Sequence, residues 1–409
     1  MSNEEKLVRM LKYVSEHNDF YKKRIKEYGI TNPLDITQWP ILTRKELQEN
    51  RYNMFSDGYK NKFFNQQLHR QSSSGSSGVP INVYWDSQDW YISNMSMWRR
   101  RLRYNDVRPN DRYVIFTLNT SGSKKDDVSL FVNDPQNVLI VNASLIFERK
   151  DELILAKVIS DFNPVWLYIQ PFLLNRLVEA YIKYSIETPK NLRYIEAVGE
   201  ILSEDIRKRA MNLFGALVVN FYGSEEFNGI AYETFQNRLE VLEENVVVEI
   251  LNGNIIDAPA KGEAIITGLN NHAMPLIRYN QQDVISTSKP HTDGSGLRYI
   301  DGILGRSYNM IEVGNVVLSS FTLSEAIGEI NNKLGDPIIE YQFIYNKNYN
   351  SLLCNIVLAS QFEKWNLSIN EYLLHLLKSK FIDANIDIEL ETVQSICNNG
   401  MKHNILEIV

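Results

Sequence analysis

The stretch Ser72-Ser73-Ser74-Gly75-Ser76-Ser77-Gly78-Val79-Pro80 sets five serines and two glycines between two segments rich in aromatic and β-branched residues. Hydroxyls and unhindered backbone N–H groups of this kind suit an anion, above all phosphate. Composition alone describes a flexible linker equally well. It is not a Walker A loop, because no lysine follows Gly78. Two carboxylates further along add chemistry. Glu226 ends the run Asn220-Phe221-Tyr222-Gly223-Ser224-Glu225-Glu226 at the close of a predicted strand. A carboxylate there is well placed to hold Mg²⁺ on a nucleotide phosphate. Asp283 reads either as a satisfied turn residue or as an acceptor for the two hydroxyls of a ribose. No nucleophile–base pair accompanies them. Gly75-Ser76-Ser77-Gly78 is off-register for the G-x-S-x-G turn, and the six histidines show no metal spacing. His272 reads as a loop residue before it reads as a base.

These residues need elements to hold them. Lys62–Leu68 and Ile81–Trp85 read as strands flanking the glycine loop. Residues 4–28 read as one amphipathic helix, and Thr43-Arg44-Lys45-Glu46 as a capping box opening a short one. A helix is expected from Ser87 to about Tyr104, burying Tyr91, Met95, Trp98 and Leu102. Arg99, Arg100, Arg101 and Arg103 lie off that stripe and read as a solvated face, or as a polyanion-facing one. Strands at 112–118, 137–141, 165–169, 193–198 and 216–222 alternate with helices at 150–161, 172–187 and 203–214, which predicts a mostly parallel, helix-covered sheet. Between 227 and 318 short strands and turns predict a β-rich subdomain, including a hairpin over 246–256. Strands near 338–345, 351–358 and 386–394 and a helix at 368–381 make a small α+β domain. The expected division is therefore a large domain over 1–305, its β-rich part 227–305, and a small one over 306–409.

Composition bounds the partners. A net charge of -7 argues against a general nucleic-acid or membrane-surface binder. Cys354 and Cys397 form no metal or redox spacing, so a reducing cytoplasmic setting is expected. The polar N-terminus carries no signal-peptide core, and no apolar run approaches membrane-spanning length.

Four runs in order carry a resemblance: Ser73-Ser74-Gly75-Ser76-Ser77-Gly78-Val79-Pro80; Tyr222-Gly223-Ser224-Glu225-Glu226; Met274-Pro275-Leu276-Ile277-Arg278-Tyr279 with Asp283; and Gly305-Arg306. Together they resemble the adenylate-forming superfamily, and within it the phenylacetate–coenzyme A ligase and CapK branch. Pro40–Leu47, Arg108-Pro109-Asn110-Asp111 and Gly262–Leu269 are similar to further segments of that branch. The resemblance implies the adenylate-forming fold, with a large AMP-binding domain and a small mobile C-terminal lid. It implies that Ser73, Ser74, Gly75, Ser76, Ser77 and Gly78 cover the β- and γ-phosphates of ATP. Gly199, Glu200, Asn220, Phe221 and Tyr222 then line the adenine pocket, in the run completed by Gly223, Ser224 and Glu225. Glu226 carries Mg²⁺, Asp283 takes the ribose, Arg306 follows the hinge, and Lys402 contacts the carboxylate and α-phosphate. The branch also suggests a homodimer.

This chain departs from the family pattern at several positions. Glu225 stands where the family has a hydroxyl, Asn280-Gln281-Gln282 replaces Arg-Thr-Gly, Tyr308-Asn309 stands in the hinge, and Gly400-Met401 precedes Lys402. The leading expectation is ATP-dependent activation of a small carboxylic acid, then transfer to coenzyme A or a carrier thiol. The alternatives are transfer to an amine or hydroxyl, as in polysaccharide or natural-product assembly, and nucleotide binding without ligation.

Overall fold

The computed structural model describes residues 2–72, 81–117, 131–133, 137–142, 152–234, 238–251, 260–288, 298–314, 316–396 and 405–409. The expected phosphate loop, Ser73 to Gly78, and Lys402 therefore lie outside the described residues. The chain forms two compact units: Met1–Asp106 with Phe221–Ile303, and Val107–Asn220 with Leu304–Val409.

In the first unit, the expected long N-terminal helix is two helices, Asn3–His17 and Asp19–Glu27. Asn18 divides them. Its buried amide donates to the Met54 carbonyl (2.8 Å) and to Ser56 Oγ (3.2 Å), while its Oδ1 accepts from Tyr21 N and caps the second helix. Thr43 and Glu46 form the expected capping box on Arg44–Glu49. The expected strand at 62–68 is absent. Tyr59–Phe64 is a helix, and the strand is His69–Ser72, antiparallel to Asn82–Trp85 with Ser72 opposite Asn82.

The helix Ser87–Asn105 buries the opposite face from the one expected. Ser93, Ser96, Met97 and Arg101 are buried, whereas Tyr91 is 63% and Leu102 52% exposed. The buried face meets polar backbone and a glycine. Asn245 Nδ2 donates to Ser93 O (2.8 Å), Ser96 Oγ (2.7 Å) and Gly229 O (3.3 Å). A Cβ on Gly229 would lie 3.0 Å from Met97 Cγ, so small and polar groups fit here and an aromatic stripe does not. Arg100 pairs with Glu240 and Glu244, so the arginines do not form one solvated face.

The C-terminal part of this unit is antiparallel. Asn228–Glu233 joins Leu217–Ser224 to Leu239–Val241, which pairs with Tyr299–Ile300. Val246–Ile250, Ala260–Gly268 and Tyr279–Thr287 make a second sheet. The second arm of the hairpin expected over 246–256 falls outside the described residues. One core unites helices of residues 3–49 with strands of residues 222–300.

In the second unit the expected parallel sheet is present. Tyr113–Thr117 lies parallel to Val138–Asn142 and to Trp166–Ile169, which is parallel to Tyr194–Val198. Glu152–Phe162, Pro171–Tyr184 and Glu204–Phe214 cover it; Pro171 sits in the first turn of the second, and Ser203 Oγ caps Ile206 N at the start of the third. Residues 311–408 build a separate core around Ser320–Leu334, Asn366–Lys380 and a four-stranded sheet. The helix Ser320–Leu334 was not read in the sequence.

A polar set joins this section to the helices of 171–214. Arg209 bonds Asn175 Oδ1 (2.5 Å), pairs with Glu179 and approaches Asp336. Asn331 donates to Asp205 Oδ2 (2.7 Å), and Arg176 reaches Glu340 (3.4 Å). Burial and the neighbouring Asp336 push the Asp205 carboxyl up into the neutral range.

Candidate functional site

The site is assembled on the turn between Leu217–Ser224 and Asn228–Glu233. A bulge between Tyr222 and Gly223 breaks the ladder, and Ser224 pairs with Asn228. Gly223 is required by contact: a Cβ there would lie 2.4 Å from the Asn228 carbonyl oxygen. The turn sets the two neighbouring glutamates apart. Glu225 is exposed and Glu226 is 6% exposed.

Two further segments come to this turn. Gln71, beside the glycine loop, donates from Nε2 to Asn228 Oδ1 (2.9 Å), and Asn228 donates to Ser93 Oγ (2.6 Å). The base of the loop is therefore tied two residues from Glu226. On the other side, Tyr222 Oη donates to Asp283 Oδ2 (2.7 Å). Asp283 is delivered by a second irregularity. Ile265 pairs with Asn280 and Glu263 with Val284, so Gln281, Gln282 and Asp283 together face Ala264. Asn280 Oδ1 accepts from Gln282 N (2.8 Å), and Gln282 takes φ 69°, which shapes the excursion. Gln281 Nε2 donates to both Asp283 Oδ2 (2.9 Å) and Tyr222 Oη (2.6 Å).

The geometry thus brings Tyr222, Gln281 and Asp283 into one hydrogen-bonded triangle, anchored through Tyr222 to the strand that leads into the turn carrying Ser224 and Glu226. Gln281 was not singled out as a site residue in the sequence. Its only signal there was its departure from the family pattern.

In the second unit, Glu200 Oε2 accepts from the Phe172 N–H (3.0 Å), at the first turn of Pro171–Tyr184, where helix N–H groups favour a carboxylate. Gly199 is exposed with φ 78°, and Asn220 is half-buried on Leu217–Ser224. Gly305 has φ 109°, a value that excludes most side chains, and Arg306 is extended ahead of the 3-10 turn Ser307–Asn309.

A divalent cation fits the donors present. Ser224 Oγ is buried without a hydrogen-bond partner among the described residues, and Glu226, two residues on, is buried too. These are hard oxygen donors. Among the described residues no group of three or more His, Cys, Asp or Glu could hold a metal by itself. One or two protein oxygens, completed by water and phosphate, is the set that Mg²⁺ accepts.

Other conspicuous residues are structural. Arg278 pairs with Glu249 through Nε and Nη2 (3.0 Å each) and donates to Trp39 O (2.7 Å). Leu42 bridges to Tyr279 through bonds to Arg278 O and Asn280 N (both 2.9 Å). Cys354 is buried, and burial raises its thiol far above the ordinary range, which makes it a packing residue.

His272 is a loop residue bound to Asp89, which accepts from its backbone N–H (2.9 Å) and lies 3.1 Å from Nδ1. The Asp89 hydrogen bond raises the imidazole above its usual range, against the pull of burial. A raised folded pKa contributes stability fully below the unfolded value of about 6.5, and that contribution is lost as pH rises through the folded value. The expected result is that the melting-temperature gap between wild type and His272→Gln narrows from pH 5.5 to 8.5. A gap constant over that range, in thermal melts of both proteins, excludes the ion pair as its cause.

No protein-family model matches the chain. It is 22% identical over 383 residues to the phenylacetate-coenzyme A ligase of Pseudomonas putida, covering 87% of this chain and 81% of that one. It is 24% identical to the phenylacetate-coenzyme A ligase of Thermus thermophilus, covering 76% and 71%. Among solved structures it is similar to 2-hydroxyisobutyryl-CoA ligase in complex with 2-HIB-AMP, with a TM-score of 0.78 at 17% identity over 100% of this chain and 89% of that one. The anthranilate CoA ligase AuaEII gives a TM-score of 0.56 at 15% identity, over 82% and 64%. The fold is that of the adenylate-forming ligases, and the resemblance to phenylacetate–coenzyme A ligases seen in the sequence extends over most of the chain.

Proposed function

We propose that this protein is an AMP-forming acid–thiol ligase, which activates a small carboxylic acid with ATP and passes the acyl group to coenzyme A or a carrier thiol. The observation that carries this reading is the convergence on one turn of the loop base at Gln71, the buried Glu226 and the Tyr222–Asp283 pair. Phosphate, metal and ribose functions are expected of these three segments, which lie far apart in the sequence. The relatives are named for acyl–CoA ligation, and one neighbour structure holds an acyl adenylate.

In the first half-reaction a substrate carboxylate oxygen attacks the α-phosphorus of ATP, and the bond to the bridging oxygen of pyrophosphate breaks. In the second, a thiolate attacks the acyl carbon and AMP leaves. Both steps bring anionic groups together, so fixed positive and hydrogen-bonding groups lower the barrier. Glu226, with Ser224, would hold Mg²⁺, which supplies charge neutralisation at the phosphates. Asp283 would orient the ribose, with Tyr222 fixing its carboxylate. The assignments that rest on resemblance alone are Ser73 to Gly78 for the terminal phosphates, Gly199, Glu200, Asn220 and Phe221 for adenine, Arg306 after the hinge, and Lys402 for the α-phosphate. Residues 306–409 are proposed as the mobile small domain. Their separate core and the positive φ of Gly305 support that division. The buried Cys354 is in keeping with a reducing cytoplasmic setting, and a homodimer follows the branch.

Glu225 favours a second reading. An exposed carboxylate stands beside the proposed metal ligand, where the family has a hydroxyl. Nucleotide binding without ligation would explain it. A hydroxamate assay over a panel of aliphatic and aryl acids, with ATP and Mg²⁺, separates the two. Acid-dependent hydroxamate and AMP are expected. AMP binding with no turnover on any acid would leave the second reading.

A further inference from the structure

We infer that Gln281 is a specificity-determining residue that reads a ribose hydroxyl of the bound nucleotide jointly with Asp283. The inference rests on the proposed adenylate site. The hydrogen bonds fix the orientation of the Gln281 amide. A carboxylate can only accept, so the group 2.9 Å from Asp283 Oδ2 must be the Nε2 amine. Tyr222 Oη gives its proton to the same Oδ2 (2.7 Å) and accepts the second Nε2 proton (2.6 Å). Every bond of the triangle is thereby assigned, and Oε1 points away from it.

That oxygen is buried with no hydrogen-bond partner among the described residues. A buried amide oxygen left without a donor is costly, and such groups in folded proteins commonly await a ligand or water. Asp283 Oδ2, in turn, already accepts two hydrogen bonds. A ribose diol offers two O–H donors, and an oxygen with two donors in place is poorly able to take another. Two hydroxyls need two acceptors, and with Oδ2 committed only one carboxylate oxygen remains; Gln281 Oε1 stands on the same three-residue excursion as Asp283 and supplies the other. Gln281 has two tasks in this arrangement: Nε2 holds the carboxylate, and Oε1 receives a hydroxyl.

The test is calorimetric titration of AMP, 2′-deoxyAMP and 3′-deoxyAMP into the full-length wild type and Gln281→Met, which matches the shape and removes both polar atoms. Wild type is expected to bind AMP about tenfold or more tighter than one of the two deoxy nucleotides. In Gln281→Met that gap should close, with AMP falling to the deoxy level. Weakening of all three nucleotides with the gap preserved would mean that Gln281 acts only by holding Asp283, and the inference fails. Equal affinity of wild type for all three overturns it without any variant. No AMP binding by wild type removes the adenylate site itself, and this inference with it.

Discussion

Glu226→Ala is expected to lower acid-dependent pyrophosphate release by about 10³-fold, the scale at which loss of one fixed electrostatic partner of a developing charge is felt. The carboxylate is 6% exposed, on a turn whose geometry is set by a bulge and by Gly223. The neighbouring Glu225 is exposed where Glu226 is buried, so the two carboxylates are not interchangeable in place. The loss should fall on turnover. AMP affinity should stay within a few-fold of wild type, because Asp283 and Tyr222 are untouched. Glu226→Gln keeps the shape and loses the charge, so it should behave as the alanine variant does. Pyrophosphate release measured with a turned-over acid decides it: activity near wild type in either variant would remove Glu226 from the metal site.

Arg278→Ala is expected to cost about 3–5 kcal/mol of stability, the range for removing one partner of a buried ion pair. Glu249 and Arg278 are each less than one fifth exposed and share two 3.0 Å bonds. Burial raises the Glu249 carboxyl even with Arg278 beside it, so without the guanidinium the charge would be stranded. The Trp39 carbonyl would lose its donor too. The double variant Arg278→Met with Glu249→Met should recover most of the loss, because no charge is then left unpaired. Urea unfolding of the three proteins tests this, and a single variant within about 1 kcal/mol of wild type would refute the stranded-charge account.

What could be read from the sequence was what short-range chemistry decides. Within residues 112–214 two helices were legible through local devices: Pro171 in a first turn for one, Ser203 as a cap and Gly215 beyond Phe214 for the other. The break at Asn18 was not, because the apolar period runs straight through it. The break is decided by Met54 and Ser56, 36 and 38 residues away. The inverted burial of Ser87–Asn105 has the same origin. Periodicity finds an apolar stripe, but Asn245 and Gly229 dictate that hydroxyls, not aromatics, fit against them. In the candidate site, Glu226 and Asp283 were legible as residue types, and the structure adds that Asp283 accepts a hydrogen bond from Tyr222. Gln281 became visible only once the register of Ala260–Gly268 with Tyr279–Thr287 placed three residues opposite one.

The interrupted path of the chain has a consequence for biosynthesis. The first hundred residues share their core with strands that end near residue 300, and Tyr21 and Leu42 bond directly to residues 275–280. At about 5–20 residues per second, a ribosome needs roughly 10–40 s to travel from Asp106 to Ile303. Throughout that interval Leu11, Val14, Trp39 and Leu42 lack the partners that cover them in the finished molecule. The nascent N-terminal segment therefore presents uncovered apolar surface, and synonymous codon changes that slow translation between residues 107 and 303 lengthen its exposure.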